Sequence, residues 1–369
     1  MQSSEVAVIR SADDLSALAE EWNDLALRCP GYFLSQTFQW TEAAWETIGR
    51  PRGYELNCLT LRSGRRLVAV WPLVVSRERG LRIIRRLGFG GHEYCAPLVE
   101  PGDEAESRTA LLWRAAACSA DFAVLRHVRA DAPLAGVLKA GRHWSVTEEA
   151  VPAPYIARAD YPDWAAYYAT ISAQLRTQIK RRRRKLAAEG KVVLERASRA
   201  GCVELIDWTL EHKKRWLADA ELDSDWLFES ESRNFLAELA MREDATGGVA
   251  LFALKVDGVP IAAEIASVDR GRFESYMVAY DPKWKSYSPG NILSEYTLQW
   301  AFDRGLDFDL RIGSEPYKYR WAKRSCDTVI WHVATSRRGI SAIVHLRLAR
   351  LVNRVRRKMA LGRFLPTKS

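Results

Sequence analysis

One junction in the last third of the chain limits the fold more than any other feature. Residues 272–280 alternate like a β-strand, the run breaks at Asp281-Pro282, and apolar residues recur at helical spacing over residues 291–304. A strand, a short polar loop and a helix in this order predict a layered α/β unit with a crossover helix. The first amides of such a helix have no partner within it, and the positive end of its dipole faces the loop.

The loop before this helix is suited to hold a phosphate group. Gly290 allows a ligand to approach the backbone closely, and Lys283 and Lys285 add positive charge. The alternative is that Ser288-Pro289-Gly290 is only a turn that starts a helix, because proline and glycine commonly mark such junctions.

The segments around the junction resemble the GNAT acyltransferase superfamily. The resemblance is closest to the CelD/BcsL branch, the cellulose-biosynthesis-type acetyltransferases related to the Fem peptidyl transferases, and it covers about residues 170–325. The usual pyrophosphate signature, a glutamine or arginine ahead of two spaced glycines, is absent. The residues that carry the resemblance are Tyr280-Asp281-Pro282, Ser288-Pro289-Gly290, Leu293, Gly305-Leu306, Phe308-Asp309, Gly313, Tyr317-Lys318 and Trp321, with a basic helix over residues 175–186.

The resemblance implies an acyl-CoA donor, with acetyl-CoA as the first expectation. We expect the pyrophosphate to bind where the loop meets the helix. The predicted donor-binding residues are Lys283, Lys285, Ser286, Tyr287, Ser288, Gly290 and Asn291. The six cysteines and six histidines show no ligand spacing, so the sequence predicts no metal site.

Acyl transfer from a thioester needs a base for the attacking amine or hydroxyl and a proton donor for the departing thiolate. Glu264 lies in the middle of an apolar strand, where burial raises a carboxyl pKa towards the useful range, although it could instead be a charge on a solvent face. Asp309, in the next predicted strand, competes for the role of base. The resemblance implies a phenol near the CoA sulfur, and Tyr317 lies in the matching region.

Three further residues form the predicted substrate-binding set: Lys318, Tyr319 and Trp321. Lys318 could pair with a phosphate or with Asp309, and Tyr319 could replace Tyr317, because alternate strand residues point to opposite faces. Trp321 has the size and apolar character of a core residue.

The chain of 369 residues exceeds what one hydrophobic core usually organises. We predict an α/β fold of tandem GNAT-like domains, each a mixed, mostly antiparallel sheet flanked by helices. The predicted divisions are an N-terminal degenerate GNAT-like domain (1–150), a C-terminal GNAT acyltransferase domain (151–335) and a basic amphipathic helix (336–369). The seam is placed at Val151-Pro152-Ala153-Pro154, and the glycine-rich residues 88–94 are assigned to substrate shaping or to a surface loop.

Two segments concentrate positive charge. Residues 180–185 are six consecutive cations within a predicted helix, which is either a solvated face or a contact for an anionic donor or acceptor. This run lacks interleaved aromatic residues, so nucleic acid is not an expected partner. Residues 340–365 combine an apolar side with arginines, which is typical of a helix lying on an anionic membrane or docking on the protein itself.

These observations predict an acyl-CoA-dependent N- or O-acetyltransferase that acts on a sugar in exopolysaccharide or cell-envelope assembly. The acceptor, a sugar or a lipid-linked molecule, rests on the resemblance alone. One alternative transfers a long acyl chain to a lipid amine, and another is a non-catalytic scaffold that binds an anionic ligand or partner. Without a long apolar run or a leader-like N-terminus, we expect a cytoplasmic protein, held at the inner membrane face if the tail binds lipid.

Overall fold

The computed structural model describes residues 4–88, 93–219 and 230–348. The strands of the first half are β1 (Ser4–Ile9), β2 (Glu55–Ser63), β3 (Arg66–Glu78), β4 (Leu81–Arg86), β5 (Leu98–Val99), β6 (Phe122–Arg129), β7 (Ser145–Thr147) and β8 (Val151–Ile156). Its helices are α1 (Ala12–Ser16), α2 (Ala19–Arg28), α3 (Phe38–Ala44), α4 (Ala105–Cys118) and α5 (Pro133–Ala140).

The second half has the same kinds of element. Its strands are β9 (Val192–Arg196), β10 (Glu243–Asp244), β11 (Gly247–Val256), β12 (Val259–Asp269), β13 (Arg272–Tyr280), β14 (Asp307–Asp309) and β15 (Arg324–Ala334). Its helices are α6 (Trp164–Thr170), α7 (Ala173–Leu186), α8 (Arg199–Asp219), α9 (Ser230–Ala240), α10 (Pro289–Phe302), α11 (Lys318–Trp321) and α12 over residues 337–348.

The two halves repeat one order of elements. Each begins with a strand and helices, continues with three antiparallel strands, and then crosses by a helix to a strand that is parallel to the third. In the first half α4 makes this crossover from β4 to β6, and in the second α10 makes it from β13 to β14. The predicted α/β class, with a large and mostly antiparallel sheet flanked by helices, is therefore confirmed.

The halves exchange their last strands. The central order of the sheet is β6-β15-β8-β14, so the strand that closes each half pairs with the other half. The proline-rich stretch where we placed the seam is β8 itself. On the β14 side, the carbonyls of Pro152 and Pro154 accept from Gly313 and Leu310 at 2.8 and 2.9 Å. In a β-strand, the N–H and the C=O of one residue point towards the same neighbouring strand. The two prolines, which have no N–H, therefore face the β14 side, where only their carbonyls form hydrogen bonds.

The two faces of β12 pack against different helices. Ala263 and Ile265 belong to a core shared with α8, α9 and the helices of the first half, whereas Ala262 and Ala266 face α7 and α10. Alternation along the strand places Glu264 on the second face, opposite Phe252 of β11. The fold therefore carries this carboxyl towards the crossover helix.

The predicted junction is largely correct. The strand over residues 272–280 is β13, but the loop after it is a 3-10 helix, Pro282–Tyr287, and α10 begins at Pro289. The strand predicted after α10 shrinks to three residues, Asp307–Asp309. Arg311 and Gly313 take positive φ angles of 63° and 136°, and these conformations end the extended backbone there.

The described part of the C-terminal tail packs on the protein. Ile343 of α12 is fully buried against Ile83, Phe122 and Ala334. Val344 and Leu348 remain 44 % and 57 % exposed. The rest of the predicted amphipathic segment, residues 349–365, lies outside the described residues. Within the described ranges, no helix has the length and apolar character needed to cross a membrane.

Candidate active site

The start of α10 has the features of an anion seat. Ser288 is the N-cap, and it takes a left-handed φ of 48° that a non-glycine residue rarely adopts. Its side chain makes no capping bond to the helix, and Pro289 at the first position has no N–H to satisfy. Before it, Asp281 caps the 3-10 helix by accepting the N–H of Lys283 at 3.0 Å. The loop is thus held in place. The N–H groups of Asn291 and Ile292 donate to the Ser288 carbonyl at 3.1 and 3.4 Å, and no side chain of the described residues caps the helix, so Gly290 carries the backbone N–H that faces the seat without such a bond.

Neither the backbone conformation nor the packing at position 290 requires a glycine. Its φ lies outside the left-handed region, and an added Cβ would meet only the Tyr280 ring, at 4.0 Å. Glycine in a helix interior is normally less favourable than alanine. Open space on the ligand side of the helix start agrees with the predicted role of Gly290, which is to let a ligand reach the backbone.

The basic helix α7 contacts this same loop. Arg182 donates a hydrogen bond to the Ser288 hydroxyl, and the Tyr287 hydroxyl donates to Glu189 at 2.5 Å. Arg183 pairs with Glu295 of α10 at 2.5 Å. The sequence had suggested an anionic contact for this run but not that Arg182 would lie at the helix cap. Lys283 and Lys285 of the loop are exposed and have no acidic partner among the described residues, and the same is true of four α7 cations for which no contact with the loop is seen: Lys180, Arg181, Arg184 and Lys185.

Glu264 is a buried carboxyl with no ion pair. It is only 1 % exposed, and neither of its oxygens has a hydrogen-bond partner of good geometry among the described residues. Burial raises its pKa to about 7, against a smaller lowering by the nearby hydroxyls of Ser275 and Thr297. A carboxyl that titrates near neutrality can both take and return a proton at physiological pH.

Tyr317 lies within electrostatic reach of Glu264. Burial of its hydroxyl raises its pKa, and the negative charges of Glu315 and Glu264 raise it further. The phenol therefore stays protonated at neutral pH, while part of its side chain is open, with 42 % exposure. The residue caps the short helix α11 and is not in a strand, so the strand-face argument for choosing between Tyr317 and Tyr319 was wrong.

Asp309, the competing candidate for the base, is held by residues of both halves. Its carboxylate accepts from the Tyr94 hydroxyl at 3.0 and 3.1 Å and from the Arg311 N–H at 2.7 Å, and the Arg129 guanidinium is 3.7 Å away. It is 2 % exposed. These hydrogen bonds fix the Asp309 carboxylate in place, and Tyr94 belongs to the other half of the chain. The contacts favour a structural link between the halves over a catalytic base.

The three predicted substrate-binding residues lie in one short helix but have different surroundings. The Lys318 ammonium is 3.0 Å from Glu315 and donates to the carbonyls of Arg311 and Ile312 at 3.2 and 2.7 Å, so it pairs with neither Asp309 nor a phosphate. Trp321 is fully buried in the core, whereas Tyr319 is 44 % exposed.

A lysine near Glu315 was missed from the sequence. Lys213 on α8 has a pKa lowered by burial, and its ammonium feels the charges of Glu315 and Lys318. It also lies 4.1 Å from the ring centre of Trp216, which is 40 % exposed. No local motif marks Lys213, because Glu315 is about a hundred residues away along the chain.

Among the described residues of the first half, the start of the crossover helix does not offer an equivalent seat. The helix α4 starts after Asp103 and Glu104 and carries Glu106 in its first turn, which opposes anion binding. The Cys95 N–H donates to the His127 carbonyl of β6 at 3.3 Å. Of the glycine-rich stretch assigned to substrate shaping, residues 89–92 lie outside the described residues, and Tyr94 is buried. Within the described ranges, no group of acidic, histidine or cysteine residues could hold a metal ion.

A family model confirms the class of protein that this geometry defines. Residues 173–319 match the model described as Acetyltransferase (GNAT) domain, and this region contains the seat, Glu264 and Tyr317. GNAT domains use acyl-CoA donors, and the protein is an acyltransferase with such a domain over residues 173–319. The match does not distinguish branches, so the CelD/BcsL assignment stays a prediction.

Solved structures share the fold of nearly the whole chain. The crystal structure of FemX is similar at 12 % identity and a TM-score of 0.56, over 89 % of this chain and 96 % of that one. A tandem GNAT protein from the clavulanic acid biosynthesis pathway has 12 % identity and a TM-score of 0.51, over 90 % and 99 %. The C-terminal domain of a protein described as a lysylphosphatidylglycerol synthetase, from Agrobacterium fabrum, has 12 % identity and a TM-score of 0.53, over 92 % and 97 %. No curated protein sequence matches.

Proposed function

We propose that the protein transfers an acetyl group from acetyl-CoA to an amino or hydroxyl group of a sugar used in exopolysaccharide or cell-envelope assembly. The observation that carries the proposal is the pairing, within one GNAT domain, of a buried carboxyl with a pKa of about 7 and a protonated phenol. The nucleophile attacks the thioester carbon and loses its proton to Glu264. As the C–S bond breaks, Tyr317 donates to the departing thiolate.

The donor binds with its pyrophosphate at the start of α10. The uncapped helix end, the free space over Gly290 and Arg182 beside Ser288 support this placement. A test compares Arg182→Met with Arg184→Met, a matched control from the same run. Losing a charge-assisted contact weakens CoA binding by about tenfold in the first variant. Equal affinities in calorimetry would remove α7 from the donor site.

The surface next to Tyr317 suits a polar, ring-shaped acceptor. Tyr317 presents a partly exposed aromatic ring, and Glu315 supplies a negative charge that both Tyr317 and Lys213 feel. The partly exposed ring of Trp216 packs against Lys213. Aromatic side chains pack well on the apolar faces of a sugar ring, while polar side chains around its edge form hydrogen bonds with the sugar hydroxyls. A long acyl chain transferred to a lipid amine is the competing function, and the same fold would support it.

One experiment separates these functions. The purified protein is incubated with acetyl-CoA or palmitoyl-CoA and a panel of amino sugars, neutral sugars and lipid amines, and products are read by mass spectrometry. The proposal predicts acetylated sugar, and its loss in Glu264→Gln. Products from palmitoyl-CoA and a lipid amine alone would favour the competing function. No transfer from either donor, despite measurable CoA binding, would favour a non-catalytic scaffold.

A further inference from the structure

A small cavity lies at the junction of the two halves, away from the predicted reaction centre. Its volume is about 190 Å³, and residues of both halves line it: Arg129, Asp131, Tyr155, Arg272, Asp307, Phe308 and Asp309. Arg272 starts β13, six positions before Val278, the residue that pairs with Glu264. At about 3.3 Å per strand residue, Arg272 is roughly 20 Å along the sheet from the proposed base, and Asp309, which pairs with Glu274, is roughly 13 Å away. A ligand bound there does not present its reacting atom to Glu264.

Most charged groups around the cavity already have partners. Arg129 makes a bidentate pair with Asp131 at 3.0 and 2.8 Å. Asp307 accepts the Arg158 N–H at 2.8 Å, and Asp309 is bound by Tyr94 and Arg311. The polar lining is therefore rigid, since each of these side chains is fixed by a neighbour.

Of the two cations that line the cavity, Arg272 is the one without an ion pair among the described residues. Its Nη1 atom is buried without a hydrogen-bond partner among them. It stacks on Phe33, with Cζ 4.0 Å from the ring centre. The acid that feels its charge is Asp269, but burial raises the pKa of Asp269 to about 7, so much of that carboxyl is uncharged at neutral pH. A positioned guanidinium without an anion is costly to bury and suited to bind one.

We propose that this junction cavity is a binding site for a small anion, a phosphate or carboxylate group, with Arg272 as its main ligand. The volume equals that of about six water molecules at 30 Å³ each, so a phosphate ester or a short carboxylic acid fits and a nucleotide does not. Phe33 holds the guanidinium plane in place, which lowers the entropy lost on binding. The site is separate from the donor seat and does not depend on which acceptor is acetylated.

The test uses full-length protein saturated with CoA, so that the donor seat is occupied. Inorganic phosphate, acetate and neutral glycerol are titrated by calorimetry. The proposal predicts binding of phosphate or acetate but not glycerol, and the stronger of the two identifies the anion class. Arg272→Met, which keeps the stem on Phe33, weakens that binding by about tenfold or more. Arg270→Met, an exposed neighbour, is the matched control and binds like the parent.

Two results would overturn the proposal: no anion binding once CoA is bound, or equal anion affinity in Arg272→Met and the parent. If Arg272→Met fails to fold, as judged by its melting profile, Arg272→Lys takes its place. It keeps the charge but loses the planar fork, so it should bind severalfold more weakly than the parent. Parent-like binding in that variant would also contradict the assignment. Failure of CoA itself to bind would count against the donor site and not against this cavity, which is then titrated without CoA.

Discussion

Replacing Glu264 with glutamine removes the proposed base while keeping its shape. Because a general base contributes about 10²–10⁴-fold to the rate, turnover should fall by that factor while CoA affinity stays within about twofold. In the parent enzyme, kcat/KM should rise with pH and level off above about 7, where the Glu264 carboxyl is ionised. The residual kcat/KM of the glutamine variant should not show this rise with pH.

The same carboxyl should make stability depend on pH. Its pKa is about 7 in the folded protein and 4.5 ordinarily, so between these values the folded state holds a proton that the unfolded state has released. The parent therefore loses stability as pH rises through this window, and the loss is complete above pH 7. At 1.36 kcal/mol per pKa unit, the loss is up to about 3 kcal/mol, and the glutamine variant does not share it.

Urea unfolding of both proteins at pH 5 and pH 8 measures this difference directly. The free energy of unfolding of the parent should fall relative to that of Glu264→Gln by up to about 3 kcal/mol between the two pH values. Parallel changes in the two proteins would show that Glu264 has an ordinary pKa. Parent-like turnover by the variant would refute its role as the base.

Three other changes test separate parts of the account. Gly290→Val should weaken CoA binding by about tenfold without lowering the melting temperature. Gly201→Val is the control, because its Cβ also has open space, and it should leave CoA affinity unchanged. Equal CoA affinities in the two variants would show that the donor does not bind at the start of α10. Tyr317→Phe should lower kcat by about tenfold or more through slower thiolate departure, measured under saturating donor, and a normal kcat would exclude this acid. Truncation after Leu348 keeps the docked turns of α12 and removes the later cations, each worth about 1 kcal/mol near an anionic surface. The shortened protein should fold normally and lose sedimentation with anionic vesicles, and retained sedimentation would contradict the membrane role.

Local sequence patterns predicted the donor side of the site well. The alternation of residues 272–280 and the helical spacing that follows gave β13 in full and α10 to within two residues, because both signals are local. Glu264 could be singled out for the same reason, since a charged residue in an apolar strand stands out by itself.

The parts that failed depend on contacts that are distant along the chain. Asp309 looked like a base from its flanks, but its partner Tyr94 is 215 residues away. The proline stretch was placed as the seam between the halves, and its pairing as a strand inside the sheet could not be read from the local sequence. A bulge in β13 at Tyr276 also shifts the register against β12 between Ile265 and Ala266, and no residue type announces it. Such features follow from tertiary packing, which overrides local preference.

Hydrogen exchange with and without acetyl-CoA is the most direct test of the central claim, that the donor binds at the start of α10. Calorimetry first establishes that acetyl-CoA is bound. The account predicts that the amides of residues 286–292, including those of Gly290 and Asn291, become protected in the complex, and that those at the start of α4 do not. Bound donor with no protection over residues 286–292, or with protection confined to the first half, would contradict it.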